Sequence, residues 1–244
     1  MKRKKIDRLM KFLIILATFS LIGLTGYQIL FPFFERKPGE NLENKIVEVN
    51  KKEILKESFD LKVPFAPQAP FGMWDNLHNN ACEEAALVMV HYFKKGEKLT
   101  KEKMEKEIQN LVNWQIKNWG THKDLNLEEL KELAEKYYGY SKIEVVKIKD
   151  INEIKKEVAK GNPVIVPAAG RLLNNPFYRR PGPYYHMLVI RGYKKDKIIT
   201  NDPGTKRGEK YFYPEKIIFE AIHDWPGEGK DILTGEKKML IIKD

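Results

Sequence analysis

Three side chains suited to nucleophilic catalysis lie far apart in the chain: Cys82, His186 and Asp202. Cys82 is the single cysteine of the sequence, so its thiol cannot form a disulfide within the chain. It stands at the predicted start of an apolar helix over 81–93, where unpaired backbone N–H groups and the helix dipole stabilise a thiolate, the reactive form of cysteine. A solitary cysteine also fits a small buried apolar residue, so both roles remain open.

The spacing of His186 and Asp202 predicts that they meet in a β-hairpin. His186 lies in a predicted strand over 184–193, and Asp202 ends the next strand, over 197–202. In such a hairpin His186 faces position 203 or 204, and cross-strand neighbours lie roughly 5 to 8 Å apart. A carboxylate there would hold the imidazole in the tautomer that accepts a proton from a thiol. The same spacing fits an ordinary histidine beside an aspartate that starts an Asp-Pro-Gly turn.

Two carboxylates follow the cysteine directly, Glu83 and Glu84. As acidic residues in the first turn they favour the start of the helix. Their negative charges would oppose ionisation of the thiol unless the side chains point away from it.

The loop 170–183 leads directly into the strand that carries His186. It contains arginines and aromatic residues that could form the wall of a cleft. A simple connection between two strands is the other interpretation.

Apolar periodicity predicts helices in the first part of the chain and strands in the second. The helices are 81–93, one that begins after Thr100, 127–138, and one from Asp150 to the break at Gly161. The strands are 164–168, 184–193, 197–202, 209–213 and 237–242. A helical half followed by an antiparallel sheet is typical of the α+β class, which is the predicted fold class.

An uncharged stretch at 12–34 predicts a membrane anchor. Six basic side chains and one acidic side chain precede it. About 20 apolar residues cross a bilayer as a helix, so the stretch is long enough. The basic residues favour the cytoplasm, so we expect a single-pass protein of the cell membrane whose remaining chain is extracytoplasmic. The alternative is a cleaved signal peptide, whose apolar region usually covers only roughly 7 to 15 residues.

The sequence thus predicts three regions. A cytoplasmic basic tip and transmembrane anchor occupy 1–34, a stalk rich in Lys, Glu and Asn occupies 35–60, and a folded domain occupies 61–244. The domain begins where apolar residues and prolines crowd together.

Composition supports a folded domain and argues against a nucleic-acid partner. Hydrophobic residues make up 42% and aromatic residues 11%, which suffices for a core. The formal charge is +10, but residues 1–34 account for half of it. The other basic residues alternate with acidic ones and are not interleaved with aromatic residues, so no nucleic acid is expected. The histidines lack metal-binding spacing, so no metal or cofactor is expected either.

Five segments together resemble a known family. They are VPFAPQAPFGMW, ACEEAALVMV, GNPVIVPAAG, YYHMLVIRGY and TNDPG. In this order they are similar to the papain-fold cysteine peptidases related to the bacteriocin-processing, double-glycine leader peptidases, family thirty-nine of the cysteine peptidases. The resemblance covers about residues 61 to 242.

The resemblance implies a papain-like α+β domain and a role for each site residue. Cys82 would attack the substrate, His186 would take the thiol proton, and Asp202 would orient His186. Gln68 would donate its side-chain amide to the oxyanion, beside the backbone N–H of Cys82. Without the resemblance, Gln68 fits an ordinary loop residue.

Glu83 and Glu84 depart from the family pattern, since many members have Gly-Pro after the cysteine. The resemblance implies a stand-alone enzyme, because the sequence has no Walker motif of an attached ATPase.

The leading hypothesis is a cysteine peptidase that acts on peptides or proteins outside the membrane. A cell-wall amidase or endopeptidase with the same triad, and a catalytically inactive peptide-binding module, are the alternatives.

Overall fold

The computed structural model describes residues 55–243, which form an α+β domain. The helices are α1 (Asn76–Asn79), α2 (Cys82–Lys95), α3 (Lys101–Trp119), α4 (Leu127–Leu133), α5 (Ile151–Ala159) and α6 (Glu215–Ala221). The strands are β1 (Ser58–Asp60), β2 (Ile143–Lys147), β3 (Val164–Ala169), β4 (Tyr185–Lys194), β5 (Lys197–Asn201), β6 (Tyr211–Pro214) and β7 (Lys238–Ile242). The predicted α+β class is confirmed.

The sheet has the strand order β2-β7-β3-β4-β5-β6, and every pairing between these strands is antiparallel. The five predicted strands are present, with ends that differ by one or two residues. β1 and β2 were not predicted. β1 pairs with β4, and just before it the carbonyl of Glu57 accepts a hydrogen bond from the N–H of Lys195 at 3.0 Å.

The predicted membrane helix at 12–34 lies outside the described residues. Among residues 55–243, no helix is both long enough and apolar enough to cross a bilayer.

Helix α2 lies inside the domain because its sequence is apolar around most of its circumference. Ala85 to Val90 are fully shielded from solvent. The helix packs against α3 and β4, and it ends at Gly96, which adopts a left-handed conformation with φ of 66°. Such a conformation favours glycine. The buried packing fixes where the first turn of α2, with Cys82, meets the sheet.

Helix α4 begins with a capping box formed by Asn126 and Glu129. The predicted helix over 127–138 is regular only as far as Leu133, and residues Ala134–Tyr138 form a π-helical turn before Gly139. Its apolar stripe of Leu127, Leu130 and Leu133 is buried in the same core as α2, as its spacing predicts.

Strand β4 is buried on both faces. Met187 and Val189 contact the core that contains α2, whereas Leu188 and Ile190 contact the core that contains α5 and α6. This arrangement explains its nearly continuous apolar sequence. Beyond Ile190 a bulge shifts the pairing with β5, and the ladder ends where Val189 pairs with Asn201. His186 and Asp202 therefore both lie just past the last paired residues of the hairpin.

The chain between β1 and α1 is tied to the sheet by buried Arg191. Its Nε donates to Oδ1 of Asp60 at 2.7 Å, and a terminal nitrogen donates to the carbonyl of Val63 at 3.0 Å. Further along, the N–H of Gln68 donates to the carbonyl of Pro203 at 2.9 Å. These bonds fix Gln68 beside the end of β5.

Candidate active site

One cleft, with a volume of about 1360 Å³, contains three of the four predicted site residues. Gln68, Cys82 and His186 line it, and Asp202 is completely buried next to His186. Cys82 is the first residue of α2 and His186 is the second residue of β4. Two distant parts of the sequence therefore supply a thiol and an imidazole to the same cavity.

His186 and Asp202 form a direct contact. Nε2 of His186 lies 2.8 Å from Oδ1 of Asp202, and both side chains are buried. Oδ1 also accepts a hydrogen bond from the backbone N–H of Gly204 at 3.0 Å. Because the carboxylate occupies Nε2, the other ring nitrogen, Nδ1, is the one available to a reacting group.

The second oxygen of Asp202 accepts three more hydrogen bonds. They come from the hydroxyl of Tyr178 at 2.5 Å, the hydroxyl of Tyr213 at 2.7 Å and Nδ2 of Asn175 at 3.1 Å. Burial acts to raise the pKa of Asp202, but the charge of His186 and the hydrogen bonds from His186 and the two tyrosines outweigh it and lower the pKa. The carboxylate is therefore ionised when it faces the imidazole.

Burial raises the pKa of both Tyr178 and Tyr213, and the neighbouring Asp202 charge raises it further. Both hydroxyls therefore keep their protons and serve as donors. Tyr178 also packs edge-on against the ring of His186, with centroids 5.5 Å apart. Sequence reasoning missed these tyrosines and Asn175. The only local signal was the aromatic content of the loop 170–183.

The thiol of Cys82 donates a hydrogen bond to its neighbour Glu83, with 3.1 Å between Sγ and Oε2. Cys82 is 4% exposed and Glu83 is fully buried. Burial raises the pKa of Cys82 well above its usual value, and the charge of Glu83 and the hydrogen bond to it raise it further. The carboxylate thus points toward the sulfur, the orientation that opposes thiolate formation when Glu83 is charged.

The two glutamates point in different directions. Oε1 of Glu83 accepts a hydrogen bond from the N–H of Leu125 at 3.1 Å. Oε1 of Glu84 accepts one from Nε2 of Gln115, on α3, at 2.5 Å. Burial raises the pKa of Glu83 well above its usual value, and the charges of Glu84 and Asp124 add to the effect. Glu83 therefore tends to hold a proton, which weakens its repulsion of a thiolate.

Gln68 lies in the cleft with its side chain nearly buried, 3% exposed. Its Nε2 donates to the carbonyl of His78 at 2.8 Å and is 3.5 Å from the carbonyl of Asn79. Its Oε1 is buried without a hydrogen-bond partner among the described residues. The amide is therefore held at the cleft beside the residues that precede α2, and its role with an oxyanion stays a prediction.

The N-terminus of α2 has no side-chain cap. Ala81 occupies the capping position and offers no hydrogen bond to the first turn. The carboxylate of Glu83 accepts a hydrogen bond from its own first-turn N–H, whereas an N–H without a side-chain acceptor can bind an anion. Binding of an oxyanion by the Cys82 N–H stays a prediction.

The sequence matches the family model described as the Peptidase_C39 like family over residues 60–230. None of the curated protein sequences is similar enough to match the chain. Among solved structures, one described as a C39-like peptidase from Bacillus anthracis has 19% identity and a TM-score of 0.52, covering 78% of this chain and 99% of that chain. This similarity shows a shared fold.

Two other solved structures are similar at lower TM-scores. The peptidase domain of Streptococcus ComA, a bi-functional ABC transporter involved in a quorum-sensing pathway, has 14% identity and a TM-score of 0.42, covering 75% of this chain and 99% of that chain. Xylellain, a cysteine protease from Xylella fastidiosa, has 14% identity and a TM-score of 0.39, covering 78% of this chain and 86% of that chain. The resemblance to family thirty-nine is confirmed by the family match, and the chain belongs to the Peptidase_C39 like family of cysteine peptidases.

Proposed function

We propose that this chain is a membrane-anchored, extracytoplasmic peptidase that hydrolyses peptide bonds with Cys82, His186 and Asp202. The observation that carries the proposal is the shared cleft. A thiol at a helix start and an imidazole bonded to a buried carboxylate line the same cavity of about 1360 Å³.

The proposed reaction begins with transfer of the Cys82 proton to Nδ1 of His186. The sulfur then attacks the carbonyl carbon of the scissile peptide bond, and the carbonyl oxygen becomes an oxyanion. His186 returns the proton to the leaving amine, which departs and leaves a thioester on Cys82. Water, deprotonated by His186, then attacks the thioester and releases the acid product.

Two donors are available to the oxyanion in this proposal. The backbone N–H of Cys82 lies in the uncapped first turn of α2. The side-chain amide of Gln68 would need to exchange part of its bonding to the carbonyl of His78 for a bond to the substrate. Such donors typically contribute roughly 10² to 10³ in rate each, because they meet charge that develops only in the transition state.

The test is covalent labelling of Cys82 in the purified full chain with an epoxide of the E-64 type and with iodoacetamide. Wild type should react with both reagents, and His186→Ala should react much more slowly with both. His223→Ala is the matched control, since His223 does not line the cleft and bonds instead to the carbonyl of Gly235. Equal labelling of wild type and His186→Ala would contradict the triad.

Substrate assays separate peptide hydrolysis from the cell-wall alternative. Peptide mixtures should be cleaved by wild type and not by Cys82→Ser. Turnover of peptidoglycan fragments without cleavage of peptides would instead support an amidase or endopeptidase with the same triad.

The membrane part of the proposal is supported by the uncharged stretch at 12–34 and the six basic residues before it. A tagged full chain should fractionate with the membrane, and protease added outside the cell should reach residues 61–244. A secreted form that lacks the first ~30 residues would contradict the anchor.

A further inference from the structure

Among the residues described, every charged side chain that lines the cleft is basic. They are Lys101, Arg179 and Lys206, and no Asp or Glu lines the cavity. All three side chains are exposed, and none forms an ion pair within residues 55–243. Their charge is therefore available to a bound molecule.

The two loops beside His186 continue this pattern. Residues 170–184 contain three arginines and no acidic residue, and residues 203–208 contain Lys206 and Arg207 and no acidic residue. None of these five cations forms an ion pair with another side chain of the described part. Asp202, the carboxylate bonded to His186, is completely buried and already accepts five hydrogen bonds.

Aromatic rings hold two of these arginines in place. The guanidinium of Arg171 lies over the ring of Tyr184 at 5.4 Å, and that of Arg207 lies over the ring of Phe177 at 4.8 Å. Stacking of this kind orders a guanidinium without neutralising its charge. The wall on the histidine side of the cleft is therefore positively charged and partly ordered.

Another part of the cleft lining is apolar. Phe71 and Trp74 line the cavity and are 53% and 48% exposed, and the adjacent Met73 is 60% exposed. Large apolar side chains this exposed beside a cleft are typical of a surface that contacts a ligand.

We propose that the cleft selects peptides that carry a carboxylate close to the scissile bond together with a bulky apolar side chain. The carboxylate contacts the basic wall formed by Arg179 and Lys206, and the apolar side chain packs on the lip formed by Phe71 and Trp74. This inference rests on the proposed peptidase function and names its substrate class. A wall with one sign of charge raises the association rate of an oppositely charged substrate by roughly 10 to 10³, and salt reduces the effect.

The carboxylate has two sources, an internal Asp or Glu side chain or the C-terminal carboxylate of a short peptide. Peptides with an amidated C-terminus keep only the first source. Peptides with a neutral side chain and a free C-terminus keep only the second.

The experiment compares kcat/KM of the full chain for matched fluorogenic peptides that differ at one position, Glu, Gln or Lys, each with a free or amidated C-terminus. A peptide with a carboxylate from either source should be cleaved roughly tenfold or more faster than its neutral counterpart, and the preference should fall with added salt. The double variant Arg179→Glu, Lys206→Glu should lose or reverse the preference. Lys216→Glu is the matched control, because Lys216 is exposed on α6 and outside the cleft lining.

A second readout needs no turnover. The same peptides are added as competitors while iodoacetamide alkylates Cys82, and the Glu peptide should protect the thiol more strongly than the Gln or Lys peptide. Equal protection and equal cleavage of Glu and Lys peptides would overturn the inference while leaving the peptidase intact. Protection that follows charge without any cleavage, with alkylation independent of His186, would support the inference on binding and overturn the proposed function instead.

Discussion

Nε2 of His186 lies 2.8 Å from Oδ1 of Asp202, and this contact determines which ring nitrogen can accept a proton. The carboxylate is an acceptor only, because its pKa is lowered and four other donors already point at it. Whenever the imidazole is neutral, its proton must therefore be on Nε2, and Nδ1 keeps a lone pair for a thiol.

Asp202→Asn should abolish the basic character of Nδ1 while keeping the shape of the side chain. The three donors on the Oδ2 side will hold the amide oxygen, so the amide nitrogen will face His186. Nε2 must then accept a hydrogen bond, and the ring proton moves to Nδ1. We expect peptide hydrolysis to fall by roughly 10⁴, as the wrong tautomer does in other triads.

The measurement is kcat with a cleavable peptide, together with the melting temperature of the variant. Asn201→Asp, one residue earlier, is unsuitable as a control because Asn201 bonds to Arg191. Asp196→Asn, in the turn between β4 and β5, is a better one. Wild-type activity in Asp202→Asn would show that the contact does not set the tautomer.

Glu83→Gln should make Cys82 more reactive toward iodoacetamide at alkaline pH, where the Glu83 carboxyl of the wild type has lost its proton. The charge of Glu83 and its hydrogen bond both raise the pKa of Cys82, although burial is the larger cause. A glutamine can still accept the N–H of Leu125 with its oxygen and can donate from its nitrogen to the thiolate. The alkylation rate should rise about tenfold for each pH unit by which the thiol pKa falls.

Alkylation followed against pH in wild type and Glu83→Gln gives both apparent midpoints. Glu128→Gln, an exposed first-turn change on α4, should leave the midpoint where it is. A midpoint that moves up in Glu83→Gln would mean that a protonated Glu83 stabilises the thiolate as a donor.

Gly204→Ala should displace the imidazole of His186. A Cβ at this position would lie 2.9 Å from Cε1 and 3.1 Å from Nε2 of His186, and 3.1 Å from Cε1 of Tyr178. A displacement of the ring by about 1 Å can cost roughly 10²-fold in rate. We expect reduced kcat and a stability loss of about 1 to 3 kcal/mol from overpacking.

Gly139→Ala is the control that separates a loss of stability from a loss of kcat. Its added Cβ meets nothing within 4 Å, but its φ of 77° makes alanine unfavourable. This variant should lose stability without losing activity per folded molecule. If Gly204→Ala behaves in the same way, the contact with His186 does not matter for catalysis.

Local sequence patterns predicted much of the fold. β4 was predictable because its apolar run is continuous, and α4 because its leucines recur at helical spacing. β2 was missed since its sequence, IEVVK, alternates with charged residues and its partner, β7, lies almost 100 residues away. No short stretch of sequence contains both strands of that pair.

The residues of the site also divide into those that local spacing predicted and those that only the tertiary structure brings together. The spacing of His186 and Asp202 across one hairpin was sufficient to predict that they meet, although a bulge beyond Ile190 changes the register. The tyrosines on Asp202 come from positions 24 residues before and 11 residues after it, so only tertiary structure brings them together. The direction of the Glu83 side chain depends on the backbone of Leu125, which adjacent residues cannot reveal.

The buried Glu83 should also make the stability of the domain depend on pH. Burial, with the charges of Glu84 and Asp124, raises its folded-state pKa well above the unfolded value of about 4.3. A group whose pKa is raised by folding stabilises the native state fully below its unfolded pKa, and this contribution is lost as the pH rises through the folded pKa.

The variant Glu83→Gln has no such titration. Its melting temperature relative to wild type should therefore be higher at about pH 8 than at about pH 5. The charges of Glu84 and Asp124 repel an ionised Glu83, so removing its carboxylate also relieves this repulsion, which changes the difference in the same direction. Thermal unfolding of both proteins across this range tests the sign, and a difference that stays constant or shrinks with rising pH would show that Glu83 remains ionised in the folded domain.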